Sequence, residues 1–150
     1  MKEKKGIVLT ILVFVCIHLA FPILIPNVIL NRSLSYLDIE TTSIIVLLFV
    51  VSSAVMWVYG LITASCMRAS TQEKQFDKVI FCQLFIWILI AVFLSSLVYA
   101  LCYNNTDGMT YVRPKIFITI LVDYYIYCAV AKLWYKSRDI RNGSDPESAQ

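Results

Sequence analysis

The chain has 150 residues, of which 59% are hydrophobic and only 15% charged, and its mean hydropathy is +0.74. A water-soluble domain of this size does not have that profile, so the composition places the chain in a lipid bilayer and leaves no room for a separate soluble domain. The net charge of +3 is not a nucleic-acid signal, because the basic residues sit at the ends of apolar runs instead of forming a patch.

A hydrocarbon core of about 30 Å needs about 20 helical residues. Four apolar runs meet that length: residues 6–25, 43–67, 79–102 and 116–134. Runs this long exceed barrel strands, and only helices or closed barrels satisfy backbone polar groups in lipid. The short connections make consecutive helices antiparallel neighbours. The expected fold is all-α: a four-helix transmembrane bundle over residues 1–134, running up-down-up-down, followed by a disordered cytoplasmic tail over 135–150.

The first run, "MKEKKGIVLTILVFVCIHLAFP", also resembles a secretory signal peptide. Cleavage after Ala20 would put His18 where a small residue is wanted, so an uncleaved first span is expected. Pro22 and Pro26 mark where the chain leaves the membrane. With the N-terminus in the cytoplasm, Lys2, Lys4, Lys5, Arg68, Lys74, Lys78, Lys132, Lys136, Arg138 and Arg141 fall inside, and only Arg32, Arg113 and Lys115 outside. That bias predicts both termini on the cytoplasmic side. The basic residues also attract anionic lipid headgroups weakly. Tyr99, Tyr103, Tyr111, Trp134 and Tyr135 lie near span ends, as an aromatic belt does.

In the first outer loop Asn31-Arg-Ser forms a glycosylation sequon, and Asn104-Asn-Thr forms one in the second. Small residues recur along the second span as Ser53, Gly60 and Ala64, and along the third as Ala91 and Ser95. Such stripes let backbones approach, and the short loop between these spans predicts that their two faces pack together. Five cysteines, Cys16, Cys66, Cys82, Cys102 and Cys128, contain no CxxC pair; Cys66, at the cytoplasmic end of its span, is a candidate for palmitoylation, with an ordinary buried thiol as the plainer reading.

The fourth run, "FITILVDYYIYCAVAKLW", carries an acid in its apolar stretch. Asp123 lies roughly 10 Å from the outer face, and His18 roughly 12 Å from it on the first span. An intramembrane acid faces the bundle interior and takes a partner. A hydrogen-bonded Asp123–His18 pair joining the first and last helices is therefore predicted, acting as structural glue or, in a second reading, as part of a proton or ion path; a third reading leaves Asp123 protonated or bonded to Tyr124, Tyr127 or a neighbouring backbone group, with His18 packed elsewhere. Gln83 reads as an interhelical hydrogen-bonding residue or one reaching the interface.

Four spans with small loops and the Tyr-rich, basic ending "DYYIYCAVAKLWYKSRD" resemble a family of insect four-pass proteins. That family is similar in layout to lysosome-associated four-span proteins and includes septate-junction components of the pasiflora type. The resemblance implies a non-enzymatic organiser at cell junctions or on the endosomal route, in the plasma membrane or an endosomal or lysosomal membrane. It lacks the cysteine-rich N-terminal stretch associated with those relatives. The expected partners are the lipid bilayer and other membrane proteins, or further copies of the chain, with no nucleic acid. No cofactor and no metal ion is called for. The glutathione and eicosanoid four-span enzymes hold a thiolate with an Arg, Asn and Glu cluster in the second span, and this second span has none, so no enzyme activity is expected.

Overall fold

In a computed structural model, which describes residues 2–30, 39–66, 73–101 and 106–141, the chain is a bundle of four helices. These are α1 (Lys2–Leu24), α2 (Ile39–Cys66), α3 (Glu73–Leu101) and α4 (Thr106–Arg141). All four are long and apolar enough to cross a membrane. The chain is a polytopic membrane protein by that measure. Asn31 and Asn104, the two sequon asparagines, lie outside the described residues.

Helix α1 does not stop at its prolines. It passes through Pro22 and continues into a π-helical turn, Ile25–Ile29, closed by a 3.0 Å bond from the Leu30 N–H to the Ile25 carbonyl. The cause is Pro26. It lacks an N–H and its ring crowds the carbonyl one turn back, so the turn widens to five residues instead of ending the helix. Ile25, Ile29 and Leu30 are buried by this extension, and Ile29 and Leu30 fall where the sequence had placed the start of an outer loop.

The second difference lies in α4. The helix begins at Thr106 and runs through Pro114, although residues 103–115 read as a loop. It also continues to Arg141, into the segment read as a disordered tail; residues 142–150 are outside the described set. Pro114 removes one backbone bond but does not break a helix whose Val112 and Ile116 are both buried on either side of it.

Each helix turns one stripe inward. On α4 the buried residues are Val112, Ile116, Ile120, Asp123 and Tyr127, spaced three or four apart, and then Val130 and Ala131, both one turn beyond Tyr127. On α3 they include Phe76, Ile80, Gln83, Trp87, Ala91, Leu94 and Val98, and on α2 Ile45, Phe49, Ser53, Met56, Trp57 and Gly60. The opposite faces are apolar and exposed, as with Leu47, Val51, Val55 and Ile62 on α2 and Phe81, Phe85, Leu89 and Phe93 on α3. Those faces meet lipid tails in a bilayer.

Consecutive helices are neighbours, and α1 also packs on α4, closing the ring. The ring is not square: α2 and α4 touch across the centre, whereas α1 and α3 do not meet among the described residues. The antiparallel pair α3 and α4 is joined at both ends. At one end Phe76 stacks on Tyr135 with ring centroids 4.3 Å apart, beside a 3.1 Å ion pair between Lys132 and Asp77. At the other, the Arg113 guanidinium sits 5.0 Å from the centre of the Tyr99 ring.

Candidate functional site, a polar core between α2 and α4

The short diagonal of the bundle contains Asp123. Only 2% of this residue is exposed, and each carboxylate oxygen accepts a hydrogen bond from α2. Ser53 donates from Oγ at 2.6 Å and Trp57 from Nε1 at 2.9 Å. Ser53 and Trp57 are four residues apart, one helical turn, so both reach one carboxylate without any distortion of α2. Hydrogen bonds to a carboxylate are shorter and stronger than neutral ones, and a dry surrounding strengthens them further.

One turn further along, α4 presents Tyr127, which is fully buried. Its hydroxyl donates to Gln83 Oε1 on α3 at 2.8 Å. Its ring lies against Gly60 of α2. A Cβ at Gly60 would overlap the Tyr127 hydroxyl and come within 2.7 Å of a ring carbon, so the absence of a side chain at residue 60 makes room for the tyrosine. Tyr124 completes the set, donating to the Ile80 carbonyl at 2.7 Å. Ring contacts tie the layer together: Trp57 meets Tyr127 edge-on at 5.7 Å, and Trp87 stacks on Tyr127 at 5.7 Å.

The predicted hydrogen bond between His18 and Asp123 is not formed. His18 Nδ1 bonds the Phe14 carbonyl of its own helix at 2.7 Å, and Nε2 is buried without a partner. A carbonyl only accepts, so Nδ1 carries the hydrogen and Nε2 is left as a bare lone pair in the neutral ring. The physical reason is competition. The Phe14 carbonyl lies one turn back on the same helix and is always within reach, while Asp123 already has two α2 donors. The His18 ring is edge-on to Trp57 at 6.3 Å, and Trp57 is the indole that donates to Asp123. Trp57 is thus wedged between the two.

The small-residue stripe of α2 also finds a different partner from the expected one. Ser53 and Gly60 face Asp123 and Tyr127 of α4, not α3. The loop to α3 makes those helices neighbours, but the small residues of α2 go where a buried acid needs a donor and a tyrosine ring needs space. Ala91 and Ser95 are buried on α3 as the stripe there implied. Ala64 and Cys66 lie in the last turns of α2, and their side chains fall outside the described set. Cys16, Cys82 and Cys128 are free thiols on three different helices.

Other polar groups inside the spans satisfy themselves locally. Thr10, Asn27, Ser43, Thr63 and Thr119 each donate to a carbonyl four residues earlier on their own helix. The polar contacts between helices therefore concentrate on α4, which exchanges hydrogen bonds with α2 and α3. Gln83 is left with a buried Nε2 that has no partner. Compared with protein-family models, with curated proteins and with solved structures, the chain matches none.

Proposed function

We propose that this polytopic membrane protein is a non-enzymatic assembly or trafficking component, acting at cell junctions or along the endosomal route. The observation that supports this reading is the state of Asp123. Both carboxylate oxygens are committed to donors on a neighbouring helix, which is how a buried acid fixes the way helices meet. The resemblance of the spacing and of the fourth span to insect four-pass junction proteins points the same way.

A second reading remains, because two buried nitrogens near the core lack partners: His18 Nε2 and Gln83 Nε2. The His18 Nε2 lone pair can take a proton, whereas the Gln83 amide nitrogen only donates a hydrogen bond, so the imidazole is the group a proton path with Asp123 would use. In that reading Asp123 and His18 carry protons across the bilayer.

Proximity labelling with the intact chain in polarised epithelium separates the two, combined with flux measurements on the purified protein in liposomes. The assembly reading expects junctional or endosomal neighbours, with the same labelling for Asp123→Asn. Lysosomal residence with a pH-driven proton flux that Asp123→Asn abolishes would replace it with the transport reading.

A further inference from the structure

Helix α3 turns one amide into the bundle. Gln83 is only 4% exposed; its Oε1 accepts from the Tyr127 hydroxyl at 2.8 Å, while its Nε2, also buried, donates to no protein atom. Turning the amide over makes the count worse. Nε2 would then face the Tyr127 oxygen, the Gln83 carbonyl oxygen would take the unpaired place, and the Tyr127 hydrogen would lose its acceptor. A buried donor with no protein partner calls for a ligand that offers it an oxygen, and an ordered water is the usual one.

The groups beside Nε2 specify the rest of that ligand. Tyr124 donates its hydroxyl at 2.7 Å to the carbonyl of Ile80, three residues before Gln83 on α3, and Tyr127 lies three residues beyond Tyr124 on α4. Residues three apart on a helix are neighbours, so α4 delivers the two hydroxyls to successive turns of α3. Each has committed its one hydrogen and can only accept a further bond. One donor and two acceptors are the complement of a water molecule, whose oxygen meets Nε2 and whose two hydrogens meet Tyr124 and Tyr127; buried waters make about three such bonds. Trp87, four residues past Gln83, has its ring centroid 5.7 Å from those of both tyrosines and closes the place toward the middle of α3. Toward the start of α3, the half-exposed Lys132–Asp77 ion pair lies six residues, about 9 Å, from Gln83, so the route from the bundle's wet end is short.

We infer that Gln83, Tyr127 and Tyr124 form a binding site for one buried water molecule held between α3 and α4. The water completes a polar bridge between these helices that the direct hydrogen bonds leave one donor short. This site depends on neither reading of the function, because Asp123 and His18 take no part in it.

The test is rotating-frame NMR on the full chain in phosphatidylcholine nanodiscs, with isotope-labelled glutamine and the Gln83 side-chain amide identified by its loss in Gln83→Met. A water resident on Nε2 passes magnetisation to the amide protons by dipolar contact, with a sign opposite to that of proton exchange. That signal is expected at Gln83. Tyr124→Phe removes one of the three partners and should cut the signal several-fold, whereas Thr10→Val, on α1, should leave it unchanged. A Gln83 amide with no dipolar transfer from water overturns the inference, and this measurement on the natural chain decides by itself if Tyr124→Phe does not fold. Undiminished transfer in a Tyr124→Phe protein that is helical by circular dichroism overturns it as well.

Discussion

Asp123 sits at a core position of α4, where the spacing calls for an apolar side chain, and its neighbours are built around that fact. Trp57 can only donate, whereas the Ser53 hydroxyl can donate or accept. This asymmetry sets an order among substitutions. In Asp123→Asn the amide oxygen still accepts from Trp57, and the amide nitrogen donates to a Ser53 hydroxyl that has turned round, so little stability is lost. Asp123→Leu strands both donors in a dry core and should cost about 2 kcal/mol, given the modest worth of hydrogen bonds between membrane helices. Ser53→Ala removes the residue that adapts, and the loss from Asp123→Asn should become larger in that background. Unfolding the purified protein in mixed micelles by titration with dodecyl sulfate measures all of these. Equal stability for Asn and Leu at residue 123 would show that the α2 bonds do not hold the helices together. A second residue-scale expectation concerns Gly60. Gly60→Ala pushes a methyl group into Tyr127 and should destabilise by about 1–3 kcal/mol, as overpacking does. Tyr127→Ala opens the space, so the two changes together should lose less than their sum in a double-mutant cycle.

Among elements, α1 differs from the other three. Its polar side chains Thr10, His18 and Asn27 bond within α1 and its π-helical turn, and rings make its contacts with α2: Phe14 meets Trp57 edge-on at 5.9 Å, beside the His18 contact. Helix α4, in contrast, is hydrogen-bonded to both α2 and α3. Phe14→Ala should therefore loosen α1 alone, raising amide exchange between residues 6 and 24 while α3 and α4 keep their protection. Uniform loss of protection across all four helices would mean that α1 is as much a part of the core as the rest. The element scale is also where the sequence was legible in part. The four spans follow from length and hydropathy, because the bilayer sets a minimum helix length. Their ends do not, because a proline within a helix costs one backbone bond, and burial of Ile25, Ile29, Val112 and Ile116 outweighs it. The importance of Asp123 was legible as an acid out of place, but its partners were not read. A signal for them exists in the spacing. Ser53, Trp57 and Gly60 recur at four and three residues, which matches Asp123 and Tyr127 at four, and a matching of stripes would have pointed to α2 where a comparison of depth alone pointed to His18.

At the scale of the molecule, four crossings would return the chain to the side on which it started. We propose that charge sets the orientation: with the N-terminus in the cytosol, ten Lys and Arg residues fall on that side of the four spans and three on the other, the bias under which the richer side stays in the cytosol. Lys136, Arg138 and Arg141 follow the fourth apolar run closely enough in sequence to count in that bias. Epitope tags at the N- and C-termini should both stay hidden from antibody in intact cells and become reachable only after permeabilisation. Reversing the bias supplies the sharper measurement. Replacing Lys2, Lys4 and Lys5 with Gln removes the charge that meets the bilayer first, yet the excess on α3 and α4 remains, so the orientation should hold in most molecules. Replacing Lys136, Arg138 and Arg141 as well should give a mixture of orientations, visible as new glycosylation at Asn142, the sequon that is silent while the tail is cytosolic. A tag exposed on intact cells carrying the natural chain would reverse the assignment of sides.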